Sequence, residues 1–389
     1  MDYSKILSRK VQEIKPSGIR KFFDLLETRK NVISLTVGEP DFQTPWHIRA
    51  AGITSLEKGK THYTSNSGTL PLREAISDYL LRRFALNYDA KSEIIVTVGG
   101  SEAIDLAMRA VIEPGDEVII PQPAFVCYAP ICEMCGGVPV FIDTKEENKF
   151  KLTADELRAA ITPKTKRLIL PYPNNPTGAI MTKEDLEAIA DVLRGTNVMV
   201  LSDEIYGELT YGLDHTSIAA IDGMRERVIL ASGFSKAYAM TGWRMGYMCA
   251  PRELTRQMLK IHQYAIMCAP TTSQYAAVEA MVNGDADVRM MRNEYNRRRR
   301  YLVSGLNAMG IKCFEPEGAF YAYPNISGFG MTSEEFCERL LDEHGVAIVP
   351  GTAFGDCGEG YARISYAYSV EHISKALDRI EAFKESLEK

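Results

Sequence analysis

The sequence predicts an α/β protein, with a three-layer, mainly parallel sheet in a large domain and a smaller α+β domain beside it. Three observations carry this. Short runs rich in Val and Ile alternate with helix-length segments between residues 93 and 233, the pattern of a parallel sheet covered on both faces. Near residue 285 the alternation gives way to one long helical stretch, followed by AFYAYP and YARISYAY. The 389 residues also exceed the ~250–300 at which a single core stops growing.

The elements follow in order. EIIVTV (93–98) reads as a buried strand, followed by Gly99-Gly100-Ser101 and the helical EAIDLAMRAV. EVIIP (117–121) and VPVFID (138–143) are the next strands, the second entered through Gly136-Gly137, a helix stop. KRLILPYP, NVMVLSDE and RVILASG complete the set. Asp285 to Met309 predicts one long helix with no Pro-, Gly- or Ser-rich linker before it. The two domains are therefore expected to share it: a large domain over 46–285, and a small one built from 1–45 and 286–389.

Composition narrows the function. Hydrophobic residues make up 46% and charged residues 25%, which excludes a disordered chain. A net charge of -6 gives no global reason to hold nucleic acid. No run of eighteen apolar residues is present, so no membrane span is expected. The start, MDYSKILSRKVQEIKPSGIRKFF, lacks the apolar stretch of a secretory signal, and eight scattered cysteines then read as reduced cytoplasmic thiols. Cys127, Cys132 and Cys135 have a spacing also seen in iron–sulfur sites, but the next cysteine is Cys249. They are expected to be packed thiols, with no metal. Arg297 to Arg300 point in four directions on a helix and are expected to be solvated.

Four strand ends carry unusual residues, and ligands bind at the carboxyl ends of parallel strands. After EIIVTV, Gly99-Gly100-Ser101 is either a plain βα turn, with Ser101 as helix cap, or an anion site at a helix N-terminus. PNNPTG (173–178) is either a proline-rich turn or a rigid loop presenting an Asn donor and acceptor. Asp203 ends NVMVLSD, where a buried carboxylate needs a cation or donor or else caps a helix. SGFSKAYAMTGWRMGY (232–247) puts Lys236 just past a strand and Arg244 eight residues later. A lysine there would have a depressed pKa and act as a nucleophilic amine, and the arginine offers a fork for phosphate.

Taken with SLTVGEPDF, YTSNSG, GGSEAI, SDEIY and YARISY, these motifs make the chain resemble, over essentially all its length, the pyridoxal-phosphate-dependent aminotransferases of fold type I, class I/II. The resemblance implies pyridoxal 5'-phosphate as cofactor and ping-pong transfer of an amino group between an L-amino acid and a 2-oxo acid, with 2-oxoglutarate/glutamate as one pair. It implies the roles below position by position. Lys236 resembles the lysine that binds the cofactor and later moves a proton. Asp203 resembles the acid that keeps the ring nitrogen protonated, and Tyr206 and Asn175 the donors to the ring 3'-oxygen. Phe125 matches the aromatic that stacks on the ring, and Gly100, Ser101 and Arg244 the phosphate cup. Tyr63 matches a tyrosine that reaches the phosphate of a neighbouring subunit, which implies a homodimer with shared sites. Arg363 resembles the clamp on the substrate α-carboxylate, helped by Asn175 and the Gly38 backbone.

Two departures stand out. Many relatives carry Ser three residues before the lysine, where this chain has Gly233, and Ser235 is expected to substitute. Some bacterial aspartate aminotransferases of the subgroup carry Lys at the position of Ser101. The run IKPSGIRKF instead resembles N-acetyl-diaminopimelate and aromatic aminotransferases, in which the N-terminal segment covers the substrate. Ile19 would line the pocket there, and Arg20 is either a surface charge or a contact to a distal carboxylate. The alternative activity with the same residues is a carbon–sulfur β-lyase.

Overall fold

The computed structural model describes residues 1–16, 18, 29 and 31–387; Ile19 and Arg20 lie outside the described residues. The strands are β1 (Ile33–Ser34), β2 (Ile94–Thr97), β3 (Glu117–Gln122), β4 (Val138–Asp143), β5 (Thr165–Leu170) and β6 (Met199–Asp203). They continue with β7 (Val228–Gly233), β8 (Gly246–Cys249), β9 (Tyr321–Ala322), β10 (Val346–Ala347), β11 (Val349–Pro350) and β12 (Ala362–Ser365).

The large sheet has seven strands in the order β2-β8-β7-β6-β5-β3-β4. Its pairings are parallel from β7 through β4, while β8 is antiparallel to both neighbours. The connection from β7 to β8 explains the exception. Residues 234–245 hold one short 3-10 turn, Thr241–Trp243, and no crossover helix, so the chain turns straight back. The short run GYMC behind this loop is not among the strands the sequence predicts.

Successive residues of each central strand feed opposite layers. Leu168, Leu170, Val200, Val228 and Leu230 face one buried cluster, which helix Lys183–Leu193 closes with Leu186, Ile189 and Leu193. Ile169, Leu201, Ile229 and Ala231 face the other, closed by helix Gly100–Val111 through Ala103, Leu106 and Ala107. That alternation makes the three-layer α/β architecture. A third cluster surrounds β9 and β12 and includes Leu302, Phe320, Phe336, Ile364 and Phe383. Helix Asp285–Ala308 joins the cores. Its Val288 packs with the sheet, whereas Met291, Tyr295, Leu302 and Leu306 pack in the third cluster.

Two sequence expectations change. Arg298 and Arg299 are not solvated: their side chains are 6% and 9% exposed, because they fall on the inward face with Met291, Tyr295 and Leu302. Ser101 does not cap the helix that follows β2. That helix starts at Gly100, with Gly99 as its cap and no side-chain cap bond. Of the cysteine trio, Cys132 is buried while Cys127 and Cys135 are half-buried, and all eight cysteines are free. Among the described residues no three His, Cys, Asp or Glu side chains group to hold a metal, and no helix is long and apolar enough to cross a membrane.

Candidate active site

The carboxyl ends of β2, β3, β5, β6 and β7 converge on one cavity of about 410 Å³. Its lining includes Gly38, Gly100, Ser101, Phe125, Asn175, Asp203, Tyr206, Ser235, Lys236, Arg244 and Arg363. Residues spread over more than three hundred positions are thus brought together. Tyr63 is not in the lining; it stands 79% exposed.

Each side chain has a local reason for its place. Asp203 is the last residue of β6, buried, with Tyr128 Oη donating to Oδ2 at 2.7 Å and the Ile205 amide donating to Oδ1 at 3.2 Å. Burial pushes its pKa up, against the Tyr128 hydrogen bond that lowers it. Lys236 follows β7, and its Nζ donates to the Gly38 carbonyl at 2.5 Å. Burial lowers its pKa from 10.5 to about 8; Glu39 opposes this, and the Arg363 and Arg244 charges add to it.

Arg363 sits on β12, fully desolvated, between the rings of Tyr321 and Phe354 at 4.5 and 4.8 Å. Nη1 donates to Asn175 Oδ1 at 3.0 Å and Nη2 to the Thr36 carbonyl at 2.5 Å. Its Nε is buried with no hydrogen-bond partner among the described residues. Since Asn175 spends its oxygen on Arg363, its NH₂ is left to donate elsewhere. Tyr206 and Tyr321 hydroxyls share a hydrogen bond of 2.8 Å.

Glycines shape the end of the cavity beside Arg244. Gly99 has φ +76°, and a Cβ there would stand 2.6 Å from Arg244 Nη2. A Cβ at Gly246 would stand 2.5 Å from the Gly99 carbonyl carbon. The turn therefore closes only without side chains, and it aims the first N–H groups of helix Gly100–Val111 at the cavity. Glu102 accepts from the Val98 amide and meets His262 Nδ1 at 2.6 Å, which fixes the turn from behind.

Sequence reasoning missed Tyr128 and Tyr321. Tyr128 lies three residues after Phe125, and its ring stands edge-on to it with centroids 6.1 Å apart; that spacing was the available signal. Tyr321 lies in AFYAYP, where nothing marks it among three aromatics.

The chain belongs to the aminotransferase class I and II family, whose profile matches residues 30–380. Among its relatives is a Bacillus subtilis protein provisionally named aminotransferase YugH, 54% identical over 97% of this chain and 98% of that protein. A second Bacillus subtilis protein, provisionally named an N-acetyl-LL-diaminopimelate aminotransferase, is 48% identical over 97% and 95% of the two chains. The solved aromatic aminotransferase of Pyrococcus horikoshii is 46% identical, covers 94% of this chain and 100% of its own, and superposes with a TM-score of 0.90. The protein is accordingly a pyridoxal-phosphate-dependent aminotransferase that moves an amino group between an amino acid and a 2-oxo acid.

The residues present fit that cofactor. A buried carboxylate suits a cationic ring nitrogen, a glycine cradle with a guanidinium suits a phosphate, and an amine with its pKa near 8 suits an aldehyde.

Proposed function

We propose that Lys236 carries the cofactor and moves the proton at the substrate Cα, and that Asp203 holds the ring nitrogen protonated. When bound, pyridoxal 5'-phosphate supplies an electron sink for the charge that leaves Cα. Asp203 keeps that sink charged, and Tyr128 and the Ile205 amide keep Asp203 ionised and aimed. Tyr206 and Asn175 would donate to the ring oxygen of the bound cofactor, Phe125 would cover one face of the ring, and Gly100, Ser101, Ser235 and Arg244 would hold the phosphate. Arg363 binds the substrate carboxylate with Asn175 and the Gly38 backbone, which places the Cα hydrogen within reach of the Lys236 amine. The observation that carries the reading is the buried amine of Lys236 beside Asp203 and Arg363 in one cavity.

The glutamate/2-oxoglutarate couple is the proposed common pair, and the cytoplasm the proposed compartment, in keeping with eight unpaired cysteines. The proposed domain boundary is 285/286, at the start of the long helix, which then packs Val288 with the sheet core and Met291 onward with the third cluster. A homodimer is proposed because exposed Tyr63 adjoins an exposed apolar turn, Tyr264, Ile266 and Met267. Asn66 Nδ2 ties the two by donating to the Met267 carbonyl at 2.7 Å. Such a patch marks an interaction surface.

Borohydride trapping followed by peptide mapping should put the pyridoxyl label on Lys236. A panel of amino acids against 2-oxoglutarate and pyruvate identifies the donor. A label elsewhere, or activity confined to pyruvate release from cystathionine without an oxo-acid acceptor, would overturn the reading. Light scattering should give twice the chain mass, and a fully active monomer would remove the dimer proposal.

A further inference from the structure

The four successive arginines divide by function. Arg297 and Arg300 are exposed, whereas Arg298 is buried on the core face of helix Asp285–Ala308. Leaving a buried guanidinium unpaired is costly, and Arg298 reaches across the sequence for its partner. Nη1 donates to Asp41 Oδ1 at 2.8 Å, while Nε donates to Glu294 Oε1 at 3.0 Å. The guanidinium carbon stands 5.0 Å from the Phe42 ring centre and 5.7 Å from that of Tyr295.

Asp41 ends a segment that touches the site repeatedly. The Thr36 carbonyl accepts from Arg363, the Gly38 carbonyl accepts from Lys236, and Glu39 accepts from Thr241. Thr36 and Gly38 therefore set where the clamp and the amine stand relative to each other. The segment lies in neither strand nor helix from Leu35 to Phe42; backbone bonds to Ala347 and Ser365 hold Leu35 at its inner end, and among the described residues no backbone–backbone bond holds residues 36–42. Its outer end is pinned by Asp41 on Arg298, with Thr44 bonded to the Ala239 carbonyl at 2.5 Å beyond.

We propose that Arg298 is a positioning residue for the substrate carboxylate: through Asp41 it fixes the segment that holds Arg363 and Lys236 in register. The proposal rests on the reading that Arg363 and Gly38 receive that carboxylate. It gives the arginine run a role in substrate affinity, with Arg298 the effective member and Arg297 a bystander.

The test is steady-state kinetics of the holoenzyme with the amino donor that the panel identifies, at equal cofactor content. Arg298→Met should raise KM about tenfold, the loss of one charged hydrogen bond, with kcat changed less than about threefold. Arg298→Lys, which can still reach Asp41, should recover most of that loss, and Arg297→Met should leave KM unchanged. A folded Arg298→Met enzyme with parental KM, or an equal rise in Arg297→Met, overturns the proposal. Should Arg298→Met fail to fold, Asp41→Ala, which removes the acceptor while Arg298 keeps Glu294, carries the same expected and overturning results. An Arg363→Lys enzyme with parental KM would overturn the carboxylate reading itself, whatever Arg298→Met shows.

Discussion

The Tyr128 hydroxyl donates to Asp203 Oδ2 at 2.7 Å, across 75 residues of sequence. Both groups are buried, so this donor is a principal reason the carboxylate can remain charged in a dry site. Tyr128→Phe removes it without changing the ring. A hydrogen bond to a charged group contributes about 1.5–3 kcal/mol, so kcat/KM should fall roughly ten- to a hundredfold. Steady-state kinetics, with circular dichroism to verify folding, checks this.

Lys236 gives a pH dependence with a definite sign. Its pKa is lowered to about 8 by burial, so the amine is mostly protonated below that pH and mostly free above it. The rate at which the apoprotein takes up pyridoxal 5'-phosphate should therefore rise with pH and level off past about 8. Stopped-flow absorbance measures it. Lys236→Ala should abolish the covalently bound cofactor absorbance and lower turnover by at least about a thousandfold.

Arg363, the proposed clamp on the substrate carboxylate, is already oriented by Asn175 and Thr36. Lysine keeps the charge but loses the fork. Arg363→Lys should raise KM for both the amino acid and the oxo acid by about ten- to a hundredfold, with a smaller change in kcat. Both half-reactions must be measured, because the carboxylate is common to the two substrates.

Gly246 touches the Gly99 backbone closely enough that no side chain fits. Gly246→Ala should destabilise the protein by about 1–3 kcal/mol, and the displaced turn should weaken cofactor binding. Thermal unfolding of the apoprotein and a cofactor titration separate the two effects. Gly115→Ala, where a Cβ meets open space but φ is +92°, should lower stability and leave cofactor affinity unchanged.

The parts legible in the sequence are those whose chemistry is abnormal for their position. An aspartate closing an apolar strand, a lysine one turn past another, and glycines at a helix start all violate what packing alone would choose. The central strands were legible because β5, β6 and β7 each carry a short apolar run, at 168–170, 199–201 and 228–231, whose successive residues are buried or nearly so on both faces. Tyr128 and Tyr321 were not, because a tyrosine beside a strand is ordinary core until its hydroxyl finds a partner far along the chain. Arg298 was hidden by its neighbours. Four identical residues carry no mark of which one faces inward; that depends on the phase of the helix against the third core. β8 was missed for a related reason, since its direction follows from the missing crossover helix and its sequence is only four residues long.

The direct return from β7 to β8 has an evolutionary corollary. Lys236 and Arg244 occupy the same twelve-residue link between hydrogen-bonded neighbours of the sheet. Adding or removing a residue there would displace the amine and the guanidinium of the cavity in one stroke. The geometry therefore predicts that related chains keep this link at constant length and vary it by substitution alone.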